Sequence, residues 1–404
     1  MEAVFREART RVVAALAARL RDLDLAEDAF ADAAATAVRA WRFEAPADPV
    51  AWLYCAAWRR AIDAKRRANT RTAAVFDTPE PAPTPEELVI AADEPIPDER
   101  LRLIFVCCHP AIAPDTRAAL TLKVVCGLST ERLARAFLIQ EPAMLQRITR
   151  AKHKIRDAGV PFEVPGRDAW PERLDAVLAT LEIAYAQAYE DAALAGETAG
   201  FADEVLRLSG LLAELMTDEP EVLALAAMVR FAEARRPARM DDQGVMAPLD
   251  QQDTRLWRAD LISEGDDLLD RAIDLGRPGP YQLMAAIHAA HLSRRETGVT
   301  PWAQIVALYD GLLRRRPNAV VAVNRAVAVG RATGPLAGLA ALAEVSADER
   351  LKDWLPYQAA RAALSEEAGD VLQARSAFAA ALALTPAPAE RLFLERALAR
   401  VSRL

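Results

Sequence analysis

Residues 129–159 constrain the fold most, because they predict two helices that meet across a tight corner. Ser129 is a suitable N-cap for a short first helix. That helix carries three apolar residues, Leu133, Ala134 and Phe137. A turn at 138–140 follows, and Pro142 occupies the first turn of a second helix, where proline is favoured. Gly159 then ends the second helix. The segment therefore predicts a helix-turn-helix.

The second helix of this pair is amphipathic and carries its positive charge away from the apolar side. Leu145, Ile148 and Ile155 recur at helical spacing, with Met144 at the edge of the stripe. The opposite side presents Ala143, Gln146, Arg147, Arg150, His153 and Lys154. Such a face supplies hydrogen-bond donors for base edges and phosphates, so it predicts a DNA-recognition helix. The alternative is an ordinary amphipathic hairpin, a common shape in all-α proteins.

Composition extends the helical prediction to the whole chain. Hydrophobic residues make up 52% of the 404 residues but aromatic residues only 6%, and Ala, Leu, Arg and Glu dominate. A chain of this length predicts two or three domains. The net charge of −8 does not favour DNA binding as a sum, but the sum hides local asymmetry. We predict an all-α protein whose basic segments are local.

The sequence predicts a cytoplasmic protein without a membrane partner. No apolar run approaches the roughly 20 residues that cross a bilayer, and MEAVFREARTR lacks the apolar core of a signal peptide. A disulfide framework is therefore not expected among Cys55, Cys107, Cys108 and Cys126. Cys107, Cys108 and His109 are adjacent rather than spaced as zinc ligands are, so we predict buried packing there and no metal or cofactor.

Nothing in the sequence predicts an enzyme. The histidines are His109, His153, His288 and His291, and no carboxylate or cysteine stands near the last pair at metal-ligand spacing. A phosphate-binding glycine loop is also missing from the sequence.

Residues 1–71 predict a first helical domain whose third helix ends in a basic run. Apolar stripes are formed by Val12, Val13, Leu16 and Leu20 and by Ala29, Phe30 and Ala33. FEAPADP at 43–49 breaks the pattern. The third helix then carries Arg59, Arg60, Lys65, Arg66, Arg67 and Arg71, interleaved with Trp52, Tyr54 and Trp58. Rings beside cations suit stacking on unpaired bases. The alternative is that the rings are core and the cations are merely solvated.

The rest of the chain divides into a linker and two helical regions. Residues 72–97 lack Lys and Arg, and their prolines alternate with acidic residues, which predicts a linker. Residues 98–160 form a second domain that ends in the helix-turn-helix. Residues 166–404 read as short helices in series, which predicts an α-solenoid-like domain. Its clearest unit, 356–386, has Ala362, Gly369, Ala374, Phe378, Ala381 and Pro386 at tetratricopeptide offsets. A polar insertion at 235–257 predicts an ordered element between helices.

These features together resemble the extracytoplasmic-function class of bacterial RNA polymerase sigma factors, in the group with a C-terminal tetratricopeptide-like extension. LDLAEDAFADA at 23–33 resembles the region 2 helix that docks on the polymerase clamp. PADPVAWLYCAAWRRAIDAKRR at 46–67 resembles the segment that melts and reads the −10 promoter element. PDERLRLIFVCCHPAIAP, the helix-turn-helix and RAKHKIRDAGVPFEVP are similar to region 4, which reads the −35 element. The chain departs from many relatives at Ala31-Asp32 and Trp58-Arg59.

The resemblance implies a promoter-specificity subunit without catalytic activity, whose partners are promoter DNA and the polymerase core, through the clamp of the largest subunit and the flap of the second. The implied −35 residues are Gln146, Arg147, Arg150, Lys154 and Arg156, with Lys152 as a further phosphate contact. The implied −10 residues are Trp52, Trp58, Arg59, Arg60, Lys65, Arg66 and Arg67. Asp28 and Asp32 are the implied clamp contacts, and the alternative for either one alone is helix capping or simple solvation.

The C-terminal helices are expected to regulate this activity in cis and to offer a surface to a candidate protein partner. The competing hypothesis is an adaptor, in which a tetratricopeptide-type scaffold binds a protein and the N-terminal half is a degenerate DNA tether.

Overall fold

The computed structural model of this chain describes residues 2–41, 46–71, 103–125, 127–137, 139–160, 170–191, 199–346 and 351–403. The chain forms two compact units, Met1–Gln187 and Ala188–Leu404. Across the described ranges, the β-structure amounts to one isolated bridge between Met240 and Met246. The all-α prediction is confirmed. In the same ranges, no helix combines the length and the apolar character that crossing a membrane requires.

Three helices open the first unit: α1 (Glu2–Leu20), α2 (Leu23–Ala40) and α3 (Pro49–Arg71). Asp22 caps α2 by accepting a hydrogen bond from Leu25 N at 3.0 Å. Asp48 caps α3 by accepting from Val50 N and Ala51 N. The predicted apolar stripes meet in the core, where Val12, Val13, Leu16, Leu20, Ala29, Phe30 and Ala33 are all buried.

The predicted linker 72–97 and residues 98–102 lie outside the described residues. The description of the second module begins at residue 103. A helical segment at 103–107 comes first. It is followed by α4 (Pro114–Val124), α5 (Thr130–Ala136) and α6 (Glu141–Asp157). Cys107 and Cys108 are buried, as predicted for packed side chains. Cys126 is outside the described residues.

The next helix, α7 (Trp170–Asp191), begins in the first unit and reaches the start of the second. Arg173 Nη2 donates to Phe105 O at 2.6 Å, and the apolar residues Leu174, Val177, Leu178 and Leu181 are buried. The first unit therefore includes α7 as far as Gln187, whereas the sequence placed the start of the third domain at 166.

The second unit is a series of helices that pack mainly on their neighbours in the chain, as in a solenoid. They are α8 (Ala199–Leu215), α9 (Pro220–Ala234), α10 (Ala259–Asp274), α11 (Pro280–Leu292), α12 (Arg294–Thr297), α13 (Trp302–Arg315), α14 (Ala319–Thr333), α15 (Pro335–Val345), α16 (Leu355–Glu367), α17 (Val371–Ala383) and α18 (Pro388–Val401). Small residues permit close packing: Ala362, Ala374, Ala377 and Ala381 share one core cluster with Phe378.

The polar insertion at 235–257 is ordered, as predicted, and contains three short 3₁₀ helices, Arg236–Ala238, Leu249–Gln251 and Thr254–Leu256. The Arg294 guanidinium donates to the carbonyl oxygens of Leu249, Asp250 and Gln252. The same guanidinium lies 5.2 Å from the centroid of the Trp257 ring. One arginine on α12 thus holds much of the insertion.

Candidate nucleic-acid interface

Helices α5 and α6 form the predicted pair, and α4 packs against both. The turn between them is closed by Ile139 N, which donates to Ala134 O at 3.0 Å. Pro142 lies in the first turn of α6, as predicted. Gly159 ends the helix in the left-handed region at φ 60°, and Val160 N donates back to Ile155 O at 3.1 Å.

The inner face of α6 consists of Met144, Ile148, Ala151 and Ile155. Met144 is fully buried, whereas the side chain of Leu145 is 55% exposed, so the prediction that Leu145 faces inward is wrong. Either neighbour continues a helical stripe through Ile148, because the two lie only about 100° apart around the axis. Packing in the core selects Met144.

The outer face of α6 presents most of the predicted −35 residues to solvent. Gln146, Arg150, Lys154 and Arg156 are exposed, and Arg147 is partly exposed. Arg150 Nη2 donates to Gln146 Oε1 at 3.0 Å, which orders these two side chains one turn apart. Gln146 keeps its amide donors and Arg150 keeps further N–H groups, so both still match acceptors on base edges or phosphates.

Lys152 does not share this face. Its Nζ lies 2.8 Å from Asp24 Oδ1 and 2.6 Å from Glu27 Oε2, both on α2. The Lys152 side chain is only 11% exposed. The expectation that Lys152 holds a phosphate is therefore wrong for this conformation, because two carboxylates already bind its ammonium group.

The basic end of α3 is exposed, but its aromatic residues are not free to stack. Trp58 is 7% exposed and stacks on Tyr54 with ring centroids 6.5 Å apart. The guanidinium of Arg19 lies 5.7 Å from the centroid of the Trp58 ring. A base cannot reach a ring buried this way in this conformation, and the assignment of Trp58 to the −10 contact stays a prediction. The alternative, that this ring belongs to the core, holds.

Trp52 also takes part in packing. Its ring is partly buried and meets Trp41 edge to face at 5.2 Å, and Trp41 stacks on Phe5 at 5.5 Å. The surface that α3 offers to nucleic acid is therefore its exposed cations, Arg59, Arg60, Lys65, Arg66 and Arg67. Nothing is described of the Arg71 side chain.

Helix α2 presents an acidic face. The predicted contacts Asp28 and Asp32 are both exposed. Partial burial, and next the charge of Asp24, raises the pKa of Asp28 above its usual value. Asp24 and Glu27 extend this face, although neither was predicted as a site residue. Their cationic partners come from α1 and α6, so no local spacing signals the pairing.

Two family matches cover parts of the chain. Residues 4–71 match sigma-70 region 2, and residues 173–273 match a family of unknown function, DUF6596. An uncharacterised protein of Rhizobium meliloti (strain 1021) is 38% identical over 401 residues, which cover 96% of this chain and 92% of that protein. No solved structure matches the chain. The acidic α2 and the basic α3 lie within the first match, and the helix-turn-helix lies outside both.

Proposed function

The chain belongs to the same family as the Rhizobium meliloti protein, and from its sigma-70 region 2 domain we propose that it is a promoter-specificity subunit of bacterial RNA polymerase. The region 2 domain supports a sigma-factor-like role in transcription initiation. One observation carries the finer proposal: this domain shares a compact unit with a helix-turn-helix whose recognition helix has an exposed basic face.

In this proposal, α6 reads the −35 element. Gln146, Arg147 and Arg150 contact base edges in the major groove, and Lys154 and Arg156 hold phosphates. A bidentate base contact discriminates by about 1–3 kcal/mol, whereas a phosphate contact adds affinity that is independent of sequence and sensitive to salt.

The cations of α3 act at the −10 element. Arg59, Arg60, Lys65, Arg66 and Arg67 are exposed and can neutralise the phosphates of a melted strand. Because Trp58 is buried and Trp52 packs on Trp41, this part of the proposal depends on charge rather than on these rings.

The remaining parts of the proposal concern partners and regulation. Asp28 and Asp32 contact basic residues on the clamp of the polymerase core, and the second module contacts the flap. The chain is of the extracytoplasmic-function class and works in the cytoplasm, its C-terminal helices are tetratricopeptide-like, and they regulate initiation in cis. The chemistry belongs to the polymerase, so we propose no catalytic residue in this chain.

Transcription in vitro with core polymerase tests this proposal. The templates are a promoter library randomised at −35 and −10, and the matched variants are Arg150→Ala and Lys154→Ala. We expect Arg150→Ala to lose discrimination at one −35 position by about 1–3 kcal/mol. Lys154→Ala should weaken all promoters alike and reduce the salt slope by about one.

The adaptor is the second candidate, supported by the burial of Trp58 and by the series of short helices. It predicts that the full chain neither binds core polymerase stably nor initiates transcription. A wild-type chain that binds core and starts at specific promoters excludes the adaptor as the main function.

A further inference from the structure

Four charged side chains and one main-chain carbonyl connect the two modules of the first unit. Lys152 on α6 binds Asp24 and Glu27 on α2, with Nζ–O distances of 2.8 and 2.6 Å. Arg9 on α1 also pairs with Glu27. The other branch of its guanidinium, Nη1, donates to Lys123 O at the end of α4, at 2.9 Å. The region 2 domain and the helix-turn-helix therefore touch through one ionic cluster.

The cluster is partly removed from water, which makes its pairs stronger than ordinary surface pairs. The side chains of Lys152 and Glu27 are each 11% exposed, and Arg9 is 20% exposed. Burial alone would lower the pKa of Lys152, but the charge of Glu27, with the hydrogen bonds to Asp24 and Glu27, raises it. Lys152 thus stays charged at neutral pH. Losing one partner from such a cluster is unfavourable because the remaining charge is left poorly solvated.

The contact covers one surface and leaves another open. It occupies Asp24 and Glu27 on the acidic face of α2, next to the exposed Asp28. The outer face of α6 remains exposed. A small cleft, lined also by Arg21, Asp22, Leu23, Ile155 and Arg156, adjoins Lys152 and Asp24, so water reaches the edge of the pair.

While the two modules are in contact, α3 and α6 cannot bind both promoter elements at the same time. The −10 and −35 elements lie about 25 base pairs apart, which is roughly 85 Å of duplex. Helices α3 and α6 have 23 and 17 residues. Their lengths are therefore about 35 and 25 Å. Both helices contact α2 in this conformation, so even placed end to end they fall short of that span. The modules must separate before α3 and α6 reach their two elements.

We propose that Lys152 docks in cis on the acidic face of α2, and that a lysine or arginine side chain of the polymerase core takes its place when the modules separate. This inference rests on the proposed function. It adds Asp24 and Glu27 to the polymerase-binding surface. It also makes Lys152 a competitor for that surface rather than a DNA contact.

Zero-length crosslinking of the unmodified full chain tests the contact directly. A carbodiimide joins the Lys152 amine to the carboxyl of Glu27 or Asp24 as an amide, with loss of water, and peptide mass spectrometry detects the product. We expect this crosslink in the free chain and at least a tenfold lower yield when saturating core polymerase is added first. Its absence from the free chain, or its persistence in the bound chain, overturns the inference.

Affinity for core polymerase supplies the second measurement. Lys152→Met should bind core about three- to tenfold more tightly, because the core no longer has to displace a docked lysine from the acidic face of α2. Arg375→Met, which removes an exposed cation on α17 that has no proposed role, is the charge-matched control and should bind core like the wild type. Glu27→Gln should bind core more weakly, because the substitution removes one carboxylate of the surface that core is proposed to bind.

The outcomes separate the two proposals. If the wild-type chain binds core but Lys152→Met binds no more tightly than Arg375→Met, this inference fails and the sigma-factor proposal stands. If the wild-type chain does not bind core at all, both fail. Thermal unfolding of each variant shows that its affinity was measured on a folded chain.

Discussion

Leu145 is exposed at the second turn of α6, next to residues proposed to read DNA. A leucine side chain that is 55% exposed contributes little to the fold, but it can contact the methyl group of thymine in the major groove. Gln146 and Arg150 lie beside it along the helix and are ordered by their mutual hydrogen bond. We therefore assign Leu145 to apolar readout within the proposed −35 interface.

Replacing Leu145 with alanine should reduce the preference for thymine at one −35 position by about fivefold. The estimate corresponds to roughly 1 kcal/mol for an apolar contact of one or two methyl groups. The measurement is binding of the polymerase complex to duplexes randomised across the −35 element. Thr149→Ala, another exposed position on α6, should leave the preference unchanged. An unaltered base preference in the Leu145 variant would rule out this role.

At three positions, the local sequence pattern did not determine where the side chain lies in the structure. The helical period identifies an apolar stripe but does not choose between the neighbours Met144 and Leu145. A ring among cations has the same pattern whether it is exposed or buried, and Trp58 is buried. Lys152 meets Glu27, which is 125 positions away in the chain. Each outcome depends on a tertiary contact, and a local pattern contains no information about that contact.

Whole elements follow from the sequence more closely than single side chains do. The turn before Pro142, the glycine at the end of α6 and the burial of the apolar stripes of α1 and α2 are local consequences of capping, backbone freedom and period. The membership of α7 in the first unit was not predicted, because it depends on contacts such as that between Arg173 and Phe105.

At the level of elements, Glu221 on α9 caps the N-terminus of α11. Its carboxylate accepts hydrogen bonds from Tyr281 N at 2.8 Å, and from Gln282 N and Gln282 Nε2 at 3.2 Å each. The carboxylate fits there because residue 279 is glycine. A Cβ on Gly279 would lie 2.3 Å from Glu221 Cδ, well inside van der Waals contact. The backbone of Gly279 is otherwise extended, so space rather than strain requires glycine.

Gly279→Ala should therefore lower the free energy of unfolding of the second unit by about 1–3 kcal/mol, by displacing the cap. Urea unfolding of the full chain measures this loss. A double-mutant cycle with Glu221→Ala is the control, because the alanine at 279 has no carboxylate to displace in that background and should cost almost nothing there. Equal losses in both backgrounds would contradict the explanation.

At the scale of the whole molecule, a partly buried histidine pair makes the second unit sensitive to acid. Burial, and next the charge of Arg235, lowers the pKa of His288 far below its usual value and that of His291 to about 3. His288 Nδ1 lies 2.8 Å from Arg235 Nη2, which fits a neutral ring that accepts a hydrogen bond. The folded unit therefore binds fewer protons than the unfolded chain below about pH 6.5.

Stability should accordingly be insensitive to these histidines above about pH 6.5 and fall as the pH is lowered from there toward 3. The loss is roughly 1 kcal/mol per pH unit for each histidine. The free energy of unfolding between pH 7 and pH 5 measures it. His291→Asn should reduce the slope by about one proton. An unchanged slope in the His291 variant would refute the assignment.

The boundary of the first unit determines how the C-terminal helices can be tested. Helix α7 contributes Leu174, Val177, Leu178 and Leu181 to buried packing, and Arg173 donates a hydrogen bond to Phe105 O. A chain that ends at residue 165 lacks all of these contacts. Their loss should destabilise the helix-turn-helix module by on the order of 5 kcal/mol, after allowance for residual burial in the unfolded chain. A chain that ends at residue 191 keeps them.

Hydrogen exchange of the α6 amides distinguishes the two truncations. We expect protection in the chain ending at 191 to equal that of the full chain, and protection in the chain ending at 165 to fall by more than roughly a hundredfold. Equal protection in both would show that α7 does not support the module. If the expected result is obtained, low transcription by the shorter chain reports lost folding. Only the comparison between the full chain and the chain ending at 191 then reveals whether the C-terminal helices activate or inhibit initiation.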